Sequence, residues 1–261
     1  MARVAVVIPA RYAAVRLPGK PLLRDTGKYL IQHVYERASL ASRVGEVLVA
    51  TDDERIRAAV ESFGGRAVMT SPDHRSGTDR VAEAARGLQA DVIINVQGDE
   101  PEIEPDAIDL VVQLLERCPE AEMSTLAAPI DSLAKVRDPS LVKVVLDSRG
   151  YALYFSRAPI PASKIYPDLP PGGSQGYLGH IGMYGFRREF LFRFASLDRS
   201  PLEIHESLEQ LRALENGHKI VVGVCSYQAR GIDTPEDYHA FVERCRAQLK
   251  RPPEGFTPSG G

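Results

Sequence analysis

Cysteine is scarce in this sequence: Cys118, Cys225 and Cys245 are the only three in 261 residues. They are odd in number, widely spaced and form no CxxC, which argues against a disulfide framework or a zinc site and fits a reducing cytoplasm. Long apolar runs are missing too. No stretch approaches the roughly 18–20 residues of a membrane-spanning helix. The short apolar segment 4–10 ends at Arg11 rather than at a small-residue cleavage site, so it reads as a strand and not as a signal peptide. A basic excess is lacking as well: Lys and Arg number 32 against 35 Asp and Glu, a net charge of −3, which argues against a general nucleic-acid binder. With 44% hydrophobic and 26% charged residues, the chain has the composition of a soluble globular protein. At about 150 residues per domain its length fits one large domain or two unequal lobes.

One absence is local. The first 24 residues carry Arg3, Arg11, Arg16, Lys20 and Arg24 and no acid at all. A cationic segment on a mildly acidic protein suggests one anionic ligand held in one place.

Buried-strand runs recur at 4–8, 47–50, 92–96, 144–146 and 220–224. Their continuous β-branched character suits strands covered on both faces. Helical patterns separate them: Leu30, Val34, Ala38 and Ala41 share a face, as do Ile56, Val60 and Phe63. Val81, Ala84, Ala85 and Leu88 form a third face, and Ile108, Val111, Val112 and Leu115 a fourth. The first hundred residues thus alternate strand and helix, the pattern of a parallel sheet wound with helices. The stretch near 124–190 has room for further strands or a dimerising lobe. Ser200, Pro201 and Glu203 predict a capped helix start, and Thr234, Pro235 and Asp237 another. Residues 159–177 hold five prolines and three glycines and predict a long functional loop, and the segment from Arg251 onward reads as a disordered tail. No linker divides the chain, so one domain over 1–250 is expected.

Three familiar motifs fail. Gly19-Lys20 is followed by Pro21, so the phosphate loop lacks its Ser or Thr. Gly172–Gly176 matches GxSxG, but in a proline-rich loop rather than at a strand-to-helix elbow. His205-Glu206 begins like HExxH, yet Glu209 stands at the second histidine position.

The strongest local signal is the loop released by the first strand, which carries Arg11, Arg16 and Lys20 with no acid and is stiffened by Pro18 and Pro21. Ligands of open α/β sheets bind at the carboxyl ends of strands. Two guanidinium groups there can chelate phosphate oxygens while Lys20 adds a compact charge. A solvated basic loop is the bland alternative.

This PARYxxxRLPGKPL segment resembles the nucleotide-binding signature of the 3-deoxy-D-manno-octulosonate (KDO) cytidylyltransferase family. Further matches are Val49-Ala-Thr-Asp52, Ser76-Gly-Thr-Asp-Arg80, Asn95-Val-Gln-Gly-Asp-Glu-Pro101, Tyr151-Ala-Leu-Tyr-Phe-Ser-Arg157, Leu208-Glu-Gln-Leu-Arg212 and Gly231-Ile-Asp-Thr-Pro-Glu-Asp237, in the family's order. The resemblance implies an α/β fold, a Rossmann-like nucleotidyltransferase three-layer sandwich with a predominantly parallel mixed sheet. It implies a sugar-binding and dimerising part near 124–215, and a homodimer. The implied reaction is CTP + KDO → CMP-KDO + pyrophosphate, serving lipopolysaccharide synthesis with Mg²⁺ as cofactor.

On that resemblance Pro9, Ala10, Arg11, Arg16, Lys20, Ser76, Gly77, Gln97 and Asp99 would bind the nucleotide, with Arg11, Lys20 and Asp99 catalytic. Asp99 follows a buried strand and offers magnesium a hard oxygen; a turn aspartate before proline is the other reading. With the basic loop beside it and the family's pattern around it, the metal reading is preferred. By spacing alone Asp233 is an acid at a helix start, and the resemblance makes it the second metal carboxylate. By sequence alone Ser76 reads as a helix cap, and the resemblance sets its segment against the cytidine portion. The helix from Pro201 is expected to place Ile204, Leu208 and Leu211 on one side, and Glu203, Glu206 and Gln210 on the other. The resemblance turns the latter face toward the sugar, with Glu206 and Gln210 on its hydroxyls. Gln97, Arg157, His180 and Tyr184 would line the same pocket, Arg157 facing the sugar carboxylate. Related readings are CMP transfer to sialic acid or to 8-amino-KDO, and, from another class, a non-catalytic sugar-nucleotide-binding regulator.

Overall fold

In the computed structural model of the protein, residues 2–13, 17–162, 176–227 and 230–249 are described; Arg16, most of the proline-rich loop and the segment after 249 lie outside these. The chain begins with β1 (Val4–Ala10), a 3₁₀ turn (Lys20–Leu22), α1 (Leu30–Ser39), β2 (Glu46–Thr51), α2 (Glu54–Ser62) and β3 (Ala67–Met69). There follow α3 (Gly77–Ala85), β4 (Val92–Asn95), α4 (Pro105–Arg117), β5 (Met123–Pro129), α5 (Leu133–Arg137), β6 (Lys143–Leu146) and β7 (Ala152–Ser156). The last third holds β8 (Leu178–Arg187), α6 (Arg188–Ser196), α7 (Pro201–Glu206), α8 (Leu211–Glu215), β9 (Ile220–Val224) and α9 (Pro235–Leu249).

The described strands form one mixed sheet in the order β3-β2-β1-β4-β8-β5-β9, with β6 pairing β7 and β8 off this path. The half that begins the chain, β3-β2-β1-β4, is wholly parallel, as the strand–helix alternation predicts. β8 then enters antiparallel between β4 and β5, and β9 returns parallel to β5. Successive β1 side chains face opposite layers. Val4, Val6 and Ile8 pack with Ile31, Val34, Ile56, Val60, Ile108 and Val111; Ala5 and Val7 pack with Val81, Ala84, Ala85 and the Phe190–Phe194 face of α6. Three layers result. Each fully buried Val or Ile adds about 1.5–3 kcal/mol.

The expected strand at 144–146 is present, within an antiparallel β7-β6-β8 arm; its short apolar run carries no information about direction. One expectation is corrected in detail. The helix at Pro201 does not run on to Leu211. It stops at Glu206, and Ser207 takes a left-handed conformation (φ 53°, ψ 48°) before α8 begins. Glu203, expected on a polar face, is buried in a bidentate pair with Arg212 (2.8 and 2.7 Å), while Ile204 is turned out to solvent. That ion pair outweighs the apolar stripe in setting the helix's rotation. The Thr234 cap is formed: its hydroxyl accepts from the Asp237 N–H at 3.2 Å, and Asp237 accepts from the Thr234 N–H at 2.9 Å.

Candidate active site

The parallel strands β1, β2 and β4 deliver three loops to one edge of the sheet. They approach closely. A Cβ on Gly98 would lie 2.8 Å from the Pro9 carbonyl oxygen, so the turn after β4 needs glycine to sit against the end of β1. Gly77, at the start of α3, faces the Pro9 ring from the other side at ordinary contact distance. Pro9 and Ala10 thus stand between the Ser76 and Asp99 loops.

The basic loop is closed at its neck by the Gly19 N–H donating to the Tyr12 carbonyl at 3.0 Å. Gly19 is left-handed (φ 69°) and lies under the Tyr12 ring, over which the Arg55 guanidinium sits 3.4 Å from the centroid. Lys20 emerges from this neck, mostly buried. Its ammonium donates to Asp99 Oδ2 at 2.7 Å and to the Ile232 carbonyl at 2.6 Å, and lies 3.5 Å from Asp233 Oδ1. Residues from three distant parts of the chain therefore converge as the resemblance implies. Arg11 donates to the His74 and Ser76 carbonyls and so ties the basic loop to the start of α3. The Ser76 hydroxyl caps that helix by accepting from the Asp79 N–H at 3.1 Å. Arg16 lies outside the described residues.

Asp99 and Asp233 satisfy a simple test for magnesium. Both are hard oxygen donors, and both turn toward one cationic position, the Lys20 ammonium. Among the described residues no three of His, Cys, Asp and Glu gather. Two carboxylates suffice for an ion that takes its remaining ligands from water and substrate phosphate.

The expected sugar side is built on β7, β8 and the α7–α8 turn. His180 receives or donates a hydrogen bond with Thr125 Oγ1 at 2.9 Å and packs between Phe155 and Tyr184. Burial pushes its pKa down to about 3, which keeps the imidazole neutral. Burial, with the Glu209 charge nearby, raises the Tyr184 phenol. Gln97 donates to the Gly182 carbonyl at 3.0 Å, which fixes it against β8. Glu206 accepts from Ser156 Oγ at 2.6 Å and from the Arg157 N–H at 2.9 Å; Arg157 Nε donates to the Glu206 carbonyl at 2.8 Å. The Arg157 guanidinium also donates to the Pro139 carbonyl at 3.0 Å. Gln210 is buried, and among the described residues its Nε2 has no hydrogen-bond partner.

Sequence reasoning missed several groups here. Thr78 donates to Glu209, and Asn95 Nδ2 donates to Thr78 Oγ1 at 3.4 Å, linking α3, β4 and the α7–α8 turn. Arg80, wholly buried, binds Asp52 at 2.9 Å and Thr70 Oγ1 at 2.5 Å, which explains why the ATD and SGTDR segments occur together. Glu100 is buried behind Asp99, and desolvation and the Asp99 charge lift its pKa to about 7. These residues stood inside the quoted motifs, but one-dimensional spacing gives no sign of which motif faces which.

Comparison with other proteins shows the family and the fold. The family model described as Cytidylyltransferase matches residues 5–220. The chain is 49% identical over 250 residues to an 8-amino-3,8-dideoxy-manno-octulosonate cytidylyltransferase of Shewanella sp. (strain ANA-3), covering 94% of this chain and 98% of that one. It is 50% identical over 237 residues to a 3-deoxy-manno-octulosonate cytidylyltransferase of Syntrophotalea carbinolica, covering 90% and 95%. The solved structure of a CMP:2-keto-3-deoxy-manno-octonic acid synthetase complexed with CTP superimposes with a TM-score of 0.89 at 44% identity, over 95% of this chain and 100% of that one. Fold and site together define a nucleotidyltransferase. The chain belongs to the cytidylyltransferase family, on the branch of the manno-octulosonate cytidylyltransferases.

Proposed function

We propose that the protein catalyses CTP + KDO → CMP-KDO + pyrophosphate in the cytoplasm, with magnesium as cofactor and as a homodimer. The observation that carries this reading is the convergence of Lys20, Asp99 and Asp233 at the carboxyl ends of β1 and β4. Arg11, Arg16 and Lys20 hold the triphosphate and stabilise the charge that develops on departing pyrophosphate. Pro9, Ala10, Ser76, Gly77 and Gln97 surround the remainder of the nucleotide. Asp99 and Asp233 would hold magnesium, which when bound would supply Lewis-acid charge beside the reacting oxygens. The anomeric hydroxyl of KDO attacks the α-phosphorus in line, and no covalent enzyme intermediate is needed. Gln97, Arg157, His180, Tyr184, Glu206 and Gln210 form the acid-sugar side, His180 as a neutral hydrogen-bonding group. The dimer reading draws support from Leu153 and Ile204, exposed at 61% and 53% within the segment expected to dimerise.

A second acceptor has a specific observation in its favour, since relatives named for 8-amino-KDO and for KDO match equally well. The deciding assay follows pyrophosphate release with Mg²⁺, each of the four NTPs, and KDO, 8-amino-KDO or sialic acid. Release with CTP and KDO is expected. Its absence with KDO but presence with the amino sugar moves the assignment to that acceptor. Absence with every pair overturns catalysis, and sedimentation tests the dimer.

A further inference from the structure

Lys20 meets both of the carboxylates expected to hold magnesium. Its ammonium donates to Asp99 Oδ2 at 2.7 Å and stands 3.5 Å from Asp233 Oδ1. The lysine side chain is 13% exposed, against 31% for Asp99 and 49% for Asp233, so the cation is the most enclosed member of the cluster. The backbone holds the three together. The Ile232 N–H donates to the Asp99 carbonyl at 2.9 Å, and the Ile232 carbonyl accepts from Lys20 at 2.6 Å. Two further acids stand close by: Glu100, buried and next in sequence to Asp99, and Asp237, which accepts from the Asp233 N–H at 3.1 Å. Arg11 is bonded instead to the His74 and Ser76 carbonyls.

Two cations thus have a claim on the same oxygens. A divalent ion bound by both Asp99 and Asp233 must come within reach of both carboxylates, which is the place the ammonium holds. Ammonium and dication repel one another there, the more so where water is partly excluded. Lys20 therefore cannot keep its carboxylate contacts while those oxygens bind metal. The Ile232 carbonyl that it would retain carries no charge. Triphosphate oxygens are the anionic acceptors that can replace the lost ones, and Lys20 belongs to the basic loop that faces them in the functional reading.

We propose that Lys20 is an internal counter-ion that competes with the divalent metal for Asp99 and Asp233, so that metal is taken up with the nucleotide rather than ahead of it, the triphosphate drawing the ammonium off the carboxylates. This rests on the reading of Asp99 and Asp233 as the metal carboxylates and of CTP as the nucleotide.

The test uses Mn²⁺, which takes the same hard oxygen ligands as Mg²⁺ and is followed by electron paramagnetic resonance, titrated into the full chain without nucleotide. Lys20→Met is expected to bind it more tightly than wild type by roughly tenfold or more, the size of removing a unit charge a few ångströms from a dication. That gain is expected to vanish when Asp99→Asn is added to Lys20→Met. On wild-type protein, reductive methylation read by mass spectrometry is expected to label Lys20 faster once Mn²⁺ is added, because an amine displaced from Asp99 is open to the reagent. Equal Mn²⁺ affinity in wild type and Lys20→Met, a gain that survives Asp99→Asn, or labelling that Mn²⁺ leaves unchanged overturns the proposal. Where the variants fail to fold by circular dichroism, the labelling of wild type decides alone. Wild-type enzyme that releases no pyrophosphate with CTP and KDO fails the functional reading instead, and the competition is read without either substrate.

Discussion

The ammonium of Lys20 and the carboxylate of Asp99 lie 2.7 Å apart, although 79 residues separate them in the chain. Their contact joins the basic loop after β1 to the turn after β4. Asp99→Asn keeps the shape and removes the charge, so turnover is expected to vanish while CTP binding largely survives. Lys20→Met is expected to weaken CTP binding and to lower kcat/KM by about a hundredfold or more. Steady-state kinetics alongside equilibrium CTP binding separate the two. Turnover by Asp99→Asn would remove it from the metal site.

His180 gives the folded protein a pH dependence. Its pKa falls from 6.5 to about 3 on burial, so the unfolded chain takes up a proton that the folded chain refuses. The stability tied to the neutral ring is complete above about pH 6.5 and drains away as pH falls toward the folded pKa. Between pH 7.5 and 5, wild type is expected to lose about 1–2 kcal/mol more than His180→Gln. Urea unfolding of both at the two pH values measures this. Equal losses would show that the ring is solvated.

Glu203 and Arg212 form a buried pair, 4% and 5% exposed. Removing one partner leaves the other buried and unmatched, a loss of about 3–5 kcal/mol. Glu203→Gln should therefore lower stability strongly in denaturant titrations. Replacing both by apolar residues of similar volume should restore much of it. A single variant within 1 kcal/mol of wild type would contradict the pairing.

Gly98→Ala puts a methyl group 2.8 Å from the Pro9 carbonyl oxygen. The β4 loop must then move away from β1. About 1–3 kcal/mol of stability is expected to go, as in other overpacked sites, and turnover should drop further than stability because Asp99 moves with the loop. Melting and kcat measured on the same preparation distinguish these effects.

The legible parts of the molecule were those written locally. The core faces of α1 to α4 and the direction of β1, β2 and β4 follow from periodicity and alternation. The capping signals at Ser200 and Thr234 mark true helix starts. What spacing could not disclose was decided by partners far away in sequence. Glu203 looked solvent-facing because nothing local announces Arg212 as its counter-ion, and α7 ends at a left-handed Ser207 where the apolar stripe would have continued it. β8 supplies both His180 and Tyr184, but its glycines at 179, 182 and 185 broke the hydrophobic run that marks the other strands. Asp233 was drawn to Asp99 only by family resemblance, since 133 positions lie between them.

The cap at Thr234 has a consequence for how the molecule is made. Asp233 directly precedes α9, whose Tyr238, Phe241 and Val242 pack with Leu30 and Ile232, and the Tyr238 hydroxyl accepts from the Asp25 N–H at 2.8 Å. The last described helix thus closes over the segment that leads into α1. Contacts of such long sequence separation close late. A chain stopped before α9 is therefore expected to leave Ile232 and Asp233 unfastened beside Lys20.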